Sequence, residues 1–525
     1  MLQLQRLPHP YRRALLPTVA VSLALTIAFL FLPLAGTDLS AQVARGHFVQ
    51  AYGLRPVDFR WYGGIFPFGY SLLTGSLNAL IGSRGVGAVA SVLGATAFAF
   101  LLVRGGVRRP LVGGVLGAAC LVSNLVSGRT TFALGVAFGL LALCAVTLDE
   151  LEVHWRMALA GLCALLSTAS SPVAGLFTGL AGTALLLTGR RLAGLVLAVS
   201  SAVPIVALAV LFHDGGIQPF SMESAKLVIT PSIAVIFLVP ARYRAVRTGA
   251  VLTAIGLFGA FLIPSPIGYN AARLTLLFAV PVIAATANLS WPKVALALAL
   301  ISWWQPPLVL GDLGNAGDRA AHREFFQPLI DELHRRGPIG RVEVVPLHDH
   351  WESTYVADAV PIARGWERQV DVGRNPLFYG RTPDGTLTSP AYLNWLYDNG
   401  VTYVAVPRQA RLDQWGQEEK ALIDATPPYL QFVWGTDDWQ LYRVDSAQPL
   451  VSFPAKLVSS SATGVVFDMP RPGAVVARVG WSRWTTLRGP AGCVTSAGRW
   501  TVARIDKPGR YRLSSGWHWS QRDKC

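Results

Sequence analysis

Apolar runs recur along the first 310 positions, at 14–35, 85–103, 110–127, 130–148, 157–170, 173–189, 192–212, 225–240, 248–264, 274–287 and 293–310. A helix needs about twenty apolar residues to cross a bilayer, so the pattern predicts about eleven transmembrane helices, several of them short. One further apolar stretch, "FPFGYSLLTGSLNALIG" at 66–82, lies inside the long segment 36–84. Beyond residue 310 the pattern changes. A helix is expected over 318–336, with Phe325, Phe326, Leu329, Ile330 and Leu333 at helical spacing and Gly337-Pro338 after it. "RVEVVPL" (341–347), "VTYVAVP" (401–407) and "WQLYRV" (439–444) read as strands, and "SPAYLNWLYDNG" (389–400) as a helix closed by Gly400. From about 448, short alternating runs such as "GAVVARV", "RWTVARI" and "RYRLSS", separated by Pro-Gly turns, suggest a β-sandwich.

The expected fold class is thus a membrane α-helical bundle followed by an extracytoplasmic α/β plus β-sandwich domain. Its divisions are a transmembrane part at 1–310 with a long first outer loop at 36–84, an α/β part at 311–447 and a β-sandwich part at 448–525.

Composition agrees with the apolar pattern. Hydrophobic residues make up 52% and charged residues 14%, against roughly 25% charged in soluble domains. The formal charge of +15 comes from 45 basic and 30 acidic residues. The basic residues lie in short groups between apolar runs and not in long clusters with aromatics, so nucleic acid is not an expected partner. Those groups orient the chain. Arg6, Arg12 and Arg13 precede the first run; Arg104, Arg108 and Arg109, then Arg156, then Arg190 and Arg191, then Arg242, Arg244 and Arg247, then Lys293 follow in every second loop. The positive-inside rule makes these cytoplasmic, with the N-terminus. The alternation holds if 36–84 lies wholly outside, with 66–82 interfacial or re-entrant, and it places the C-terminal third outside the cytoplasmic membrane.

No run carries an ionisable residue in its interior, which argues against an ion-coupled pump or carrier. Polar residues gather instead at the outer face: Asp38, Arg45, His47, Asp58, Arg60, Arg129, His213, Asp214, Glu223, Lys226, Tyr269, Asn270 and Arg273. Taken singly, each reads as a solvated helix end. Together they offer carboxylates for proton transfer and cations for a phosphate. "RPVDFRWYGGIFPFGYS" (55–71) adds Trp61, Tyr62, Phe66, Phe68 and Tyr70, which suit either an interfacial belt or a platform for a sugar ring or lipid chain. Cys120, Cys144 and Cys163 fall in apolar runs, whereas Cys493 and Cys525 fall in the expected external part, where an oxidising compartment would let them pair. "HDHWE" (348–352) has His348 and His350 two apart and reads as a surface loop in preference to a metal site.

With its acidic residue just after the first apolar run, at Asp38 in "GTDLSAQ", its long first outer loop and its external C-terminal part, the chain resembles the GT-C class of integral-membrane glycosyltransferases. "HWESTYVADAVPIARGWERQ", "NPLFYG" and "YLNWLYDNGVTYVAVP" also resemble segments of uncharacterised actinobacterial multi-spanning membrane proteins. Many GT-C members carry paired acidic residues at this point; here Thr37 precedes Asp38, Leu39 follows it, and Asp58 is the next carboxylate.

The resemblance implies transfer of sugar from a polyprenyl-phosphate donor to a cell-envelope glycan acceptor at the outer face of the cytoplasmic (plasma) membrane. In that case Asp38 is the catalytic base, and Arg129, Lys226 and Arg273 hold the donor phosphate. His47, Asp58, Arg60, Trp61, Tyr62, His213, Tyr269 and Asn270 are candidates for substrate contact, and membrane lipid is a partner. No definite cofactor is implied, and a divalent cation is compatible. Two other classes stay open: a multi-spanning transporter or lipid flippase, and a non-catalytic glycan-binding membrane scaffold.

Overall fold

In the computed structural model, residues 9–306, 309–380, 385, 387–517 and 524–525 are described. Arg6, one of the residues used to orient the N-terminus, lies outside them. The chain divides into two compact units. The first comprises the residues up to Gln42, Gly69–His213 and Ile217–Ala316, and the second comprises Val43–Phe68, Asp214–Gly216 and Gly317–Cys525.

Helices run through the N-terminal part in the order α1 (His9–Leu30), α2 (Leu39–Tyr52), α3 (Pro67–Tyr70), α4 (Thr74–Ile81), α5 (Ser83–Arg104), α6 (Pro110–Val126), α7 (Thr130–Val146) and α8 (Val153–Ser170). They continue with α9 (Pro172–Leu187), α10 (Arg191–Leu211), α11 (Met222–Leu238), α12 (Arg244–Leu262), α13 (Arg273–Thr286), α14 (Trp291–Trp304) and α15 (Val309–Gly314). Among the described residues, five helical stretches are long and apolar enough to cross a membrane: Arg12–Leu30, Ser83–Arg104, Arg191–Leu211, Arg244–Leu262 and Gly268–Thr286. With the shorter apolar helices α6, α7 and α9 beside them, they make this a multi-pass membrane protein.

The first unit is built around α7. Its sequence, "TTFALGVAFGLLALCAV", is apolar all round and almost every side chain is buried, as befits a helix enclosed by others. Small residues set the spacing there: a Cβ on Gly135 would come within 2.6 Å of the Ala174 methyl on α9. Residues 66–82 fold as α3 and α4, of four and eight residues. Eight residues rise only ~12 Å, well short of the ~30 Å hydrocarbon core, so this stretch does not cross as one helix.

In the second unit, a 3-10 turn at Arg319–Ala321 leads to α16 (Arg323–Arg335), then β1 (Arg341–Val344), α17 (Glu352–Ala359), α18 (Arg368–Arg374), α19 (Ser389–Asn399), β2 (Val401–Pro407), α20 (Gln414–Asp424), β3 (Leu430–Gly435) and β4 (Trp439–Val444). The sheet order is β1-β2-β4-β3, with β1 parallel to β2 and the other pairs antiparallel. The helix expected at 318 starts later because Asp318 accepts a hydrogen bond from the Ala320 amide and closes the 3-10 turn first. Its predicted apolar face is the buried one: Phe325, Phe326, Leu329, Ile330 and Leu333 all lie in the core. At the end of α19, Gly400 takes the left-handed conformation (φ 64°) that a side-chain-bearing residue would resist.

The chain then forms β5 (Lys456–Ser461), β6 (Gly464–Met469), β7 (Gly473–Gly480), β8 (Thr485–Arg488), β9 (Gly492–Ala497), β10 (Trp500–Ile505) and β11 (Gly509–Ser515). They make two antiparallel sheets, β5-β6-β11-β8 and β7-β10-β9. Alternate residues such as Val475, Ala477 and Val479 on β7 and Tyr511 and Leu513 on β11 are buried, the pattern of a sandwich. Cys493 and Cys525 are joined by a disulfide, with Cα atoms 5.2 Å apart.

The expectation of a surface loop at "HDHWE" is corrected. His350 is buried, with its ring stacked on Trp366 at 3.5 Å, Nε2 3.1 Å from Asp413 and Nδ1 3.2 Å from Glu352. A positive φ of 55° turns it inward. Among the described residues, no group of three or more His, Cys, Asp or Glu side chains is arranged to hold a metal ion.

Candidate functional site

Four chain segments of the first unit meet around Asp38. The turn 36–38 follows α1, the turn 127–129 links α6 to α7, a 3-10 turn at Gly268–Ala272 leads into α13, and α15 closes the group. Two glycines let the first two segments touch. A Cβ on Gly36 would sit 2.5 Å from the Ser127 carbonyl carbon, and one on Gly128 would sit 2.3 Å from the Leu39 nitrogen; both glycines have positive φ. Across this contact the Asp38 amide donates to the Ser127 carbonyl at 3.3 Å.

The carboxylate so placed meets two guanidinium groups. Arg129 Nε donates to Asp38 Oδ2 at 3.1 Å, and Arg273 Nη2 lies 3.6 Å from the same oxygen. The side chains of Asp38, Arg129 and Arg273 remain 23%, 20% and 16% exposed, so they are partly enclosed yet reachable. Arg273 also stacks over Phe132 at 5.1 Å. Tyr269 interacts electrostatically with both arginines, and Tyr70 with Arg273. Arg129 caps the N-terminus of α7 and Arg273 begins α13, so the positive ends of two helices add to the two cations. The arrangement has surplus positive charge and suits an anion with several oxygens, while holding a carboxylate beside it.

Asp312 is the member of this group that the sequence did not single out. Its carboxylate accepts from Ser127 Oγ at 2.5 Å and from the Thr37 amide at 3.5 Å, and so ties together the two turns that carry Asp38 and Arg129. Burial pushes its carboxyl above the usual range, against the hydrogen bonds from Ser127 and Thr37. Behind Asp38, Gln42 accepts from Thr131 Oγ1 and donates to the Tyr70 hydroxyl at 3.3 Å.

Of the other predicted residues in this unit, Asn270 is half-buried in the 3-10 turn beside Tyr269. Lys226, in the first turns of α11, and His213 are exposed and form no ion pair with Asp38. The remaining predictions belong to the second unit. There Arg60, only 1% exposed, bonds both oxygens of Asp58, reaches Asp358, and donates to the Ala44 carbonyl at 2.7 Å. Trp61 Nε1 donates to the Ser353 carbonyl and Tyr62 to the Gly365 carbonyl. Asp58, Arg60, Trp61 and Tyr62 are buried. His47 pairs with Asp358 at 2.7 Å but keeps 41% of its side chain exposed.

No family model matches the chain, and no curated protein matches it. Among solved structures, the chain is similar to an arabinofuranosyltransferase. That protein is AftD from Mycobacteria, seen in a cryo-EM structure of a mutant form; the identity is 14%, the TM-score 0.45, and the match covers 96% of this chain and 60% of that one. The chain thus spans about three-fifths of that protein's length. A likeness at this level assigns neither residues nor activity.

Proposed function

We propose that the chain is a cell-envelope glycosyltransferase of the GT-C kind, which takes a sugar from a polyprenyl-phosphate donor at the outer face of the cytoplasmic membrane. The observation that carries this reading is the meeting of one carboxylate, Asp38, with two guanidinium groups, Arg129 and Arg273, at a reachable site. In the resting protein Asp38 fills the anion position itself. An arriving donor phosphate, with more charge and more oxygens, takes over the two arginines and releases the carboxylate. The acceptor hydroxyl then attacks the anomeric carbon. Its proton passes to Asp38, and the bond from that carbon to the phosphate oxygen breaks, with its electron pair going to the phosphate held by the arginines. No step is assigned to a metal.

In the same reading, Lys226 guides the anionic donor, and His213, Tyr269 and Asn270 contact sugar. Asp58, Arg60, Trp61 and Tyr62 shape the outer loop. The N-terminus is cytoplasmic, and the parts at 311–447 and 448–525 lie outside, where the sandwich holds acceptor glycan.

The test is Asp38→Asn, which keeps the size and the hydrogen-bonding reach to Arg129 but removes the proton acceptor. The variant should accumulate in the membrane like the parent, while transfer from a polyprenyl-phosphate sugar falls by about 10²–10⁴-fold. Transfer at the parental rate would show that Asp38 is no base.

A further inference from the structure

A cavity of about 700 Å³ opens among α5, α7, α9, α11, α12 and α13 in the first unit. Its volume falls within the roughly 300–1,000 Å³ of small-molecule sites. The shaft is apolar, with Leu143, Phe177, Val235 and Phe278 among its walls. Its rim is cationic: Arg104, Arg190, Arg242 and Arg244 line it. Asp149 is the one carboxylate on the lining among the described residues, and it is already paired with Arg156 at 2.5 Å. Arg104 is matched by Glu150 at 2.8 Å, but Arg190, Arg242 and Arg244 face no acidic partner on this rim. Within the shaft, Ser232 is 1% exposed and its hydroxyl has no hydrogen-bond partner, so a buried polar group waits there for an acceptor.

The basic rim is remote from the Asp38 site, although the opposite end of the lining, at Leu274 and Thr275, follows Arg273 on α13. Arg129 caps one end of α7, and Thr147, on the pocket lining, follows its other end; the seventeen-residue helix between them separates the two by a rise of ~27 Å, nearly the depth of a bilayer core. A preference for basic loops on one side of the membrane accounts for arginines at this end, but not for an apolar shaft beneath them. Charge on the rim, apolar walls below and one unmatched hydroxyl within make up the profile of an amphiphile whose head is an anion.

We infer that this pocket binds one anionic glycerophospholipid, with an acyl chain in the shaft and the headgroup phosphate on Arg190, Arg242 and Arg244. The test reads lipid binding alone and so stands or falls apart from glycosyl transfer. Purified full-length protein is titrated with phosphatidylglycerol or phosphatidylcholine and examined by native mass spectrometry. One phosphatidylglycerol should be retained with at least tenfold preference. The variant Arg190→Gln/Arg242→Gln/Arg244→Gln should lose the preference to within about twofold, and Val235→Trp, which fills the shaft, should weaken both lipids. Equal retention of the two lipids by the parent, or an unchanged preference in the rim variant, overturns the assignment.

A second measurement needs no variant. Phosphatidylglycerol carrying a photoreactive acyl chain should label peptides containing Phe177, Val235 or Phe278, and labelling confined to other helices overturns the proposal. Inorganic phosphate at millimolar concentration should leave the bound lipid in place. Its displacement would mean that the arginines recognise a free anion instead.

Discussion

Asp38, Arg129 and Arg273 could be picked out from the sequence because each stands where an apolar run ends, and a charge at a helix end has few places to go. Asp312 could not. It sits in "GDLG", which reads as a solvated turn, and its partners Ser127 and Thr37 lie 185 and 275 residues away. His350 was hidden for a related reason: a short polar string has no periodicity to announce burial, and the network that receives it comes from Asp413 and Trp366. In the proposed reaction Asp312, which bonds the two turns and neither Asp38 nor the arginines, would be a positioning residue. Asp312→Ala removes two tethers, each worth about 1–3 kcal/mol. The variant should still fold, with kcat reduced ~10²-fold and KM for the donor changed little, as measured by steady-state transfer assays.

Asp214 offers a prediction of a different kind. Burial pushes its carboxyl up to about 7, although Arg374 Nη2 at 2.7 Å and the Phe66 amide oppose the shift; Glu367 reinforces it, and Arg45 lowers it. The folded chain therefore keeps a proton that the unfolded chain has released. Stability from this group is greatest below the ordinary carboxylate range and is lost as pH rises through about 7. His350 acts in the same direction: burial lowers its pKa, but the hydrogen bonds to Asp413 and Glu352 outweigh this and raise it. The protein should melt at a higher temperature at pH 5.5 than at pH 8, as followed by tryptophan fluorescence. Asp214→Asn should flatten part of that slope, and an identical slope in the variant would remove Asp214 from the account.

Among the elements, periodicity carried the reading furthest. The helical spacing of Phe325, Phe326, Leu329, Ile330 and Leu333 identified the buried face of α16, and the alternation on β7 and β10 marked the strands of one sheet. What periodicity does not encode is how turns approach one another. The contact of 36–38 with 127–129 depends on Gly36 and Gly128, whose neighbours are remote in sequence. Gly128→Ala must move the Leu39 backbone, since the new methyl would lie 2.3 Å from its nitrogen, and φ at +73° already disfavours alanine. The helices flanking the turn need not change. We expect membrane accumulation close to normal and a loss of transfer approaching that of Asp38→Asn, although neither Asp38 nor Arg129 is altered. Quantitative immunoblotting of membranes alongside the transfer assay checks both halves.

For the whole molecule, the proposed topology, argued from the alternation of basic loops, places the C-terminal part outside the cytoplasm. A reporter active only outside the cytoplasm should work when fused after Cys525, and activity of a cytoplasm-only reporter there would reverse the arrangement.

The second unit also has a history written into its connectivity. Arg60 finds Asp358 only 298 residues further on, and Trp61 finds Ser353 after 292. At synthesis rates of ~5–20 residues per second, the ribosome needs roughly 15–60 s to deliver those partners. Throughout that interval Arg60 can pair with Asp58, two residues away, but the distant partners of Arg60, Trp61 and Tyr62 at Asp358, Ser353 and Gly365 have not been made. A chain that ends before residue 350 lacks every one of those distant partners, so the contacts that bury Trp61 and Tyr62 become available only when synthesis is about two-thirds complete.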